Sequence, residues 1–244
     1  MFVPFADRAW LVISIALMTT RPAPSRKPSP PTPSAKGQIR QSNEALILKA
    51  AERVFARAGY NGTSMADVAT EAGLPKANLH YYFGAKEGLY RAVLAHTLHD
   101  WLGEINGITP DAEPRAALEA YIRAKMALSV SRPDASRVFA NEVMHGAPVL
   151  GALLRTELRS TVRAKARVID GWIAAGRMAP VDSTHLFFTI WAATQTYADF
   201  DIQVRAVLGR RRLSAQDHER AAQHVVNLLL RGCGLASPAP GSAT

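Results

Sequence analysis

The chain has 244 residues, 48% hydrophobic and 20% charged, which suits a globular protein with a sizeable core and excludes a disordered or fibrous chain. Its 29 Lys and Arg outnumber 20 Asp and Glu, a formal charge of +9 that calls for an anionic partner, nucleic acid or membrane. The one cysteine, Cys233, excludes an internal disulfide and fits a reducing, cytoplasmic setting.

The only long apolar run near the start, residues 10–18 (WLVISIALM), has nine residues, against the ~20 needed to cross a bilayer as a helix. No small-x-small cleavage site follows it, and Met18 offers an alternative start to Met1. Residues 21–37 (RPAPSRKPSPPTPSAKG) carry six prolines among basic residues, so residues 1–37 read as a disordered basic arm. Residues 1–41 hold a net +5 of the total charge. That charge serves either as a solubilising tail or as an arm laid along phosphates.

Helical periodicity then begins. Ile47, Ala51, Val54, Phe55 and Ala58 recur at three- and four-residue spacing and predict a first helix over 42–59, ended by Gly59. Thr63 or Ser64 is placed to cap a short second helix whose apolar face is Met65, Val68, Ala69 and Ala72. Gly73-Leu74-Pro75 stops it, and a third helix follows over 75–82. Two short helices joined by a tight Gly turn form a helix-turn-helix, with Lys76, Asn78, His80, Tyr81 and Tyr82 on the second. Asn78 suits paired hydrogen bonds to adenine, Lys76 guanine or phosphate, and Tyr81 a thymine methyl or sugar. Thr63, Ser64, Tyr82 and Lys86 suit phosphate oxygens at the rim.

The stretch 50–94 (AAERVFARAGYNGTSMADVATEAGLPKANLHYYFGAKEGLYRAVL) resembles the DNA-binding domain of TetR-family transcriptional regulators. The markers are the "F…GY…TS" entry to the second helix, the "A…AG" turn and the "LHYYFGAKEGLY" exit. The resemblance implies base contacts from Lys76, Asn78, His80 and Tyr81, and phosphate contacts from Thr63, Ser64, Tyr82 and Lys86. Phe55, Met65, Val68, Ala69, Leu74, Leu79 and Phe83 fall at its buried positions.

Beyond Lys86 the pattern stays helical: a long fourth helix to about Gly103, then 115–131, 133–145, 148–175, 182–208 and 216–231. With no strand pattern, the fold class is all-α, about nine helices, with an N-terminal helix-turn-helix and a C-terminal bundle. Arg155, Arg159, Arg163 and Arg167 make a stripe that drifts about 40° per step and reads as a solvated face, as does Arg210-Arg211-Arg212. Asn141, Glu142 and His145 lie within one helical turn, but no HxxxH, HExxH or CxxC accompanies them, so no metal is expected. Trp191 and Gln195 share a face at i and i+4, with Thr194 beside them. They suit either a flat amide-bearing ligand or a buried dimer interface with a satisfied glutamine.

The segments 132–146 (RPDASRVFANEVMHG), 170–182 (DGWIAAGRMAPVD) and 185–200 (HLFFTIWAATQTYADF) resemble the ligand-binding domain of Rut-type pyrimidine-responsive repressors within the TetR family. The resemblance implies a homodimer on a pseudo-palindromic DNA operator, released by uracil or thymine, with Trp191, Gln195, Tyr197 and Asp199 in the effector pocket. It divides the chain into a DNA-binding domain over 38–86, an effector and dimerisation domain over 87–233, and a disordered tail over 234–244. The two last helices are expected to pair across the two-fold.

Other classes fare worse. The seven histidines are scattered without a nucleophile–base partner, which argues against an enzyme, and no cofactor motif is present. A membrane-associated basic protein would rest only on residues 10–18 and the arm. A TetR-type regulator with another small-molecule effector is the nearer alternative.

Overall fold

The computed structural model describes residues 35–235, and within them the chain is helical from end to end. The elements are α1 (Ala35–Gly62), α2 (Met65–Ala72), α3 (Lys76–Phe83), α4 (Lys86–Glu104), α5 (Pro114–Ser131) and α6 (Pro133–Met144). There follow α7 (Gly151–Leu153), a π-helical turn (Leu154–Leu158), α8 (Arg159–Ala174), α9 (Ser183–Asp199), α10 (Asp201–Leu208) and α11 (Ala215–Gly232). No strand occurs among the described residues.

Local chemistry sets the boundaries. Ser64 and Asp67 form a reciprocal capping box on α2, and Ser214 and Asp217 form the same box on α11. Glu113 caps α5, with Pro114 in its first turn, and Asp182 caps α9. Gly73 is left-handed (φ 66°), where a side chain is strained, and Leu74 N–H donates back to Ala69 O at 3.1 Å to close the turn.

Four sequence expectations change. The first helix starts at Ala35, seven residues before 42, because the polar turns ahead of Ile47 carry no apolar period although nothing after Pro33 breaks a helix. Gly59 (φ 69°) still interrupts it where a terminator was expected. The helix expected over 182–208 divides at Phe200 (φ −114°, ψ 30°), and the one expected over 148–175 begins only at Gly151 and opens into a π turn. The tail expected from 234 is ordered at its start: Leu235 N–H donates to Leu230 O at 2.7 Å and its side chain packs on the core. The expectations for residues 1–34, including the arm and the start at Met1 or Met18, and for 236–244 lie outside the described residues.

Two apolar clusters hold the chain. One joins α1–α4 through Ile47, Phe55, Val68, Leu79, Leu89 and Leu94, and extends into α6 through Val138 and Phe139. Phe55, Met65, Val68, Ala69 and Leu79 are buried as expected, while Leu74 and Phe83 are half-buried against them. The other joins α5, α8, α9 and α11 around Trp172, Phe187 and Ile190. Each of these large apolar side chains stabilises by about 1.5–3 kcal/mol when fully buried. The basic stripe Arg155, Arg159, Arg163 and Arg167 is exposed throughout.

Candidate functional site

The helix α3 lies on the surface with Leu79 as its buried anchor. Lys76, His80 and Tyr81 are exposed, Tyr81 at 75%, and Asn78 and Tyr82 are half-buried. His80 Nδ1–H donates to Gly84 O at 2.6 Å, so its neutral ring presents Nε2 outward as an acceptor.

The rim residues behave differently from the expectation. Thr63 is buried and its hydroxyl donates to Gly59 O at 2.7 Å. Ser64 donates its hydroxyl to Asp67 Oδ2 at 2.7 Å. Both protons are committed within the fold, so these two residues brace the start of α2 rather than offering hydroxyl donors. Lys86 Nζ donates to Tyr60 O at 2.9 Å and lies over the Tyr60 ring, which leaves two of its three protons for an external acceptor.

Behind this surface, α1, α4 and α6 are joined by buried polar contacts. Arg132, at the joint of α5 and α6, pairs with Glu52 of α1 and Asp100 of α4. Glu142 is buried, accepts Val149 N–H at 2.6 Å and Leu150 N–H at 3.0 Å, and takes the Tyr90 hydroxyl at 3.2 Å. His145 Nδ1–H donates to Asn141 O at 2.8 Å. The Asn141–Glu142–His145 group thus ties off a helix end. Among the described residues no three His, Cys, Asp or Glu cluster as metal ligands.

A cavity of about 820 Å³ opens between α1, α4, α5, α6 and α9. Its walls are mostly apolar, and Ala56 of α1, Trp101 of α4 and Trp191 of α9 are among them. Of the four residues named from the resemblance, Trp191, Gln195 and Asp199 line it. Tyr197 does not: at 100° per residue it lies 200° from Gln195, and it lines a separate groove with Arg205, Arg211 and Arg212. Trp191 Nε1–H donates to Tyr121 OH at 2.7 Å, so the indole N–H is committed within the fold. Burial pushes the Tyr121 phenol up to about 12.

Two ionisable groups in the wall are perturbed. Lys125 is 2% exposed, lies with Nζ 3.7 Å from the centre of the Trp101 ring, and hydrogen-bonds to no described residue. Burial lowers its ammonium to about 7, against the pull of Asp199 and Glu104. Burial raises the Asp199 carboxyl, opposed by the Ser136 hydroxyl, which donates at 2.6 Å, and by Arg137 and Lys125. The sequence reading missed Lys125, Tyr121, Trp101 and Arg137. The signal for Lys125 was present, because it stands in the register Leu118, Tyr121, Ile122, Met126 and Ser129 that forms the buried face of α5.

Comparison with known proteins places this arrangement. The profile of bacterial regulatory proteins of the tetR family matches residues 47–93, and that of the YcdC-like protein C-terminal region matches 94–236. The HTH-type transcriptional regulator RutR of Escherichia coli (strain K12) is 38% identical over 201 residues, covering 82% of this chain and 95% of that protein. The chain belongs to the tetR family of bacterial regulatory proteins. A second relative of this TetR-family chain, the regulator BetI of Burkholderia lata, is 28% identical, covering 59% of this chain and 88% of its own. A tetR-family regulatory protein from Rhodococcus RHA1 shares the fold of the TetR-family chain, with TM-score 0.63 at 24% identity over 80% of this chain and 98% of its own. No helix among the described residues is long and apolar enough to cross a membrane.

Proposed function

We propose that this TetR-family protein is a ligand-responsive repressor of genes for pyrimidine and nitrogen metabolism, released from its operator by uracil or thymine. It acts by binding, in the cytoplasm, and catalyses no reaction. The observation that carries the reading is that Trp191 and Gln195 line one cavity, whose wall includes Ala56 of the first helix of the DNA-binding unit. A flat cyclic amide needs an aromatic plane and a group that both donates and accepts. The 38% identity to RutR supports the same class of regulator.

The DNA-binding unit covers 38–86 and the effector and dimerisation unit 87–233. Lys76, Asn78, His80 and Tyr81 read bases, and Tyr82 and Lys86 hold phosphates, with Thr63 and Ser64 positioning the α2 N-terminus at the rim. Two chains pair through α9 and α11, where Phe188 (48%) and Leu228 (63%) stand exposed. Successive major grooves of a pseudo-palindrome require the two α3 helices about 34–36 Å apart. Uracil that binds a different spacing better lowers operator affinity by shifting the population.

Cavity volume supports a second reading: 820 Å³ falls in the range that takes drug-sized ligands, so the same regulator would sense a bulkier apolar molecule. A thermal-shift titration with uracil, thymine and a control purine decides between them. At a ligand concentration 100 times Kd the folded state gains about 2.7 kcal/mol, a rise in Tm of about 5–10 °C. A rise specific to uracil or thymine, with release of operator DNA, supports pyrimidine sensing; no rise in a protein that still binds DNA removes the named effector and leaves the regulator.

A further inference from the structure

The cavity wall carries five polar groups able to meet a ligand besides Tyr121: Lys125, Arg137, Asn141, Gln195 and Asp199. They differ in what they can refuse. An amide turns over to present either its oxygen or its NH2, so Gln195 and Asn141 accommodate a ligand oxygen or a ligand amino group alike. Arg137 only donates, and each of its nitrogens already faces a protein oxygen, Nε at 3.1 Å from Ala198 O, Nη1 at 3.1 Å from Asp134 and Nη2 at 3.8 Å from Asp201, although part of its five N–H set stays open. Asp199 accepts, and one of its oxygens is held by Ser136 at 2.6 Å.

Lys125 is the more deeply buried of the two donors, and it donates no hydrogen bond to a described residue. It is 2% exposed and lines the cavity, its ammonium lies over the Trp101 ring, and the Asp199 and Glu104 carboxylates are the charges that act on it. In its protonated form, favoured below about pH 7, Lys125 only donates, so an incoming oxygen would relieve the desolvation that burial imposes and an incoming amino group would set donor against donor.

We propose that Lys125 is the specificity-determining residue of this cavity, donating to an exocyclic oxygen of the effector and rejecting the analogue that carries an amino group at the same position. The inference rests on the reading of this cavity as the effector site and names the ligand edge it recognises: oxo heterocycles bind and their amino counterparts do not. Asp199 and Gln195 receive the ring N–H groups on the other side, and the Trp191 face takes the ring plane.

The test is titration of the full-length wild type, Lys125→Met and Lys125→Gln with two oxo/amino pairs, uracil against cytosine and hypoxanthine against adenine. Quenching of Trp101 and Trp191, both in the wall, reports binding. Wild type is expected to prefer uracil to cytosine on the order of 100-fold, the scale of an unsatisfied buried donor. Methionine keeps the length and the packing on Trp101 but no donor, and glutamine turns to suit either partner, so both variants should lower the ratio to about 5-fold or less. Melting temperatures of the unliganded variants no lower than that of wild type exclude a folding defect.

A ratio preserved in both variants overturns the assignment of Lys125 while uracil binding by wild type leaves the pyrimidine reading intact. A wild type that ignores both pyrimidines but prefers hypoxanthine to adenine, with the preference lost in the variants, overturns the pyrimidine reading and keeps Lys125. Binding of none of the four overturns both.

Discussion

Replacement of Glu142 tests how the cavity wall is joined to the DNA-binding unit. Its carboxylate is the acceptor for Val149 N–H, Leu150 N–H and Tyr90 OH, so one side chain fixes the end of α6 to the start of α7 and to α4. In Glu142→Ala two of these donors, from Leu150 at 1% and Tyr90 at 6% exposure, are left buried without an acceptor. Each such loss costs about 1–3 kcal/mol, and the removal of the charged acceptor brings the total to about 3–5 kcal/mol. For a chain of this size that lowers Tm by roughly 10 °C. Glu142→Gln keeps an oxygen for the two amides and an NH2 that the Tyr90 oxygen accepts, so it should cost about 1–2 kcal/mol. Urea unfolding of the three proteins at one concentration, without ligand, measures both values. An alanine variant within about 1 kcal/mol of wild type, or a glutamine variant as damaged as the alanine one, refutes the reasoning.

Asn78→Ala should weaken operator binding by about 1–3 kcal/mol and relax preference at one base pair, read by gel shift on operator variants; uniform weakening across them removes Asn78 from base reading. Gly88→Ala places a Cβ 2.2 Å from Phe83 O, a backbone atom that cannot move without shifting α3 against α4. It should cost about 1–3 kcal/mol by thermal melt and reduce DNA affinity with it. Lys125, lowered to about 7 in the fold, binds fewer protons there than in the unfolded chain between about pH 7 and 10, so its contribution grows more favourable as pH rises through that window. Asp199, Glu104 and Arg137 are the charged groups that face it from α9, α4 and α6. The excess Tm of Lys125→Met over wild type should therefore shrink from pH 7 to pH 10, and an excess independent of pH counts against a lysine held in this environment.

Legibility in the sequence followed the range of the interactions concerned. The Gly73 turn, the Ser64 cap and the apolar period of α2 are settled within a few residues, and the helix-turn-helix is where it was expected. Trp191, Gln195 and Asp199 step by four and stay on one face of α9, so that these three share one cavity wall was readable. Tyr197 breaks that step and faces elsewhere. Thr63 and Ser64 have the composition of phosphate donors, but whether a hydroxyl proton is available depends on the backbone oxygen or carboxylate it meets. Lys125 stands in a buried register that sequence shows, yet that the register opens on a cavity depends on α4 and α6, far away in the chain. The break at Phe200 lies between Asp199, held by Ser136, and Asp201, held by Arg205 at 2.9 Å, contacts of which only the second is local.

The first helix serves two masters, and that constrains how the protein can change its taste in ligands. Ala56 faces the cavity, whereas Val54 and Phe55 on the same helix are packed in the cluster that supports α2 and α3. A substitution on this wall that reshapes the cavity therefore also disturbs the platform beneath the DNA-reading helix. Ala192 and Gln195 on the far wall belong to a helix that packs on α5, α6 and α8 and has no principal contact with α2 or α3. Ligand preference is accordingly free to drift through α9 while the operator stays fixed, and mutational libraries that seek a new inducer will yield working switches from α9 and constitutive or dead ones from α1.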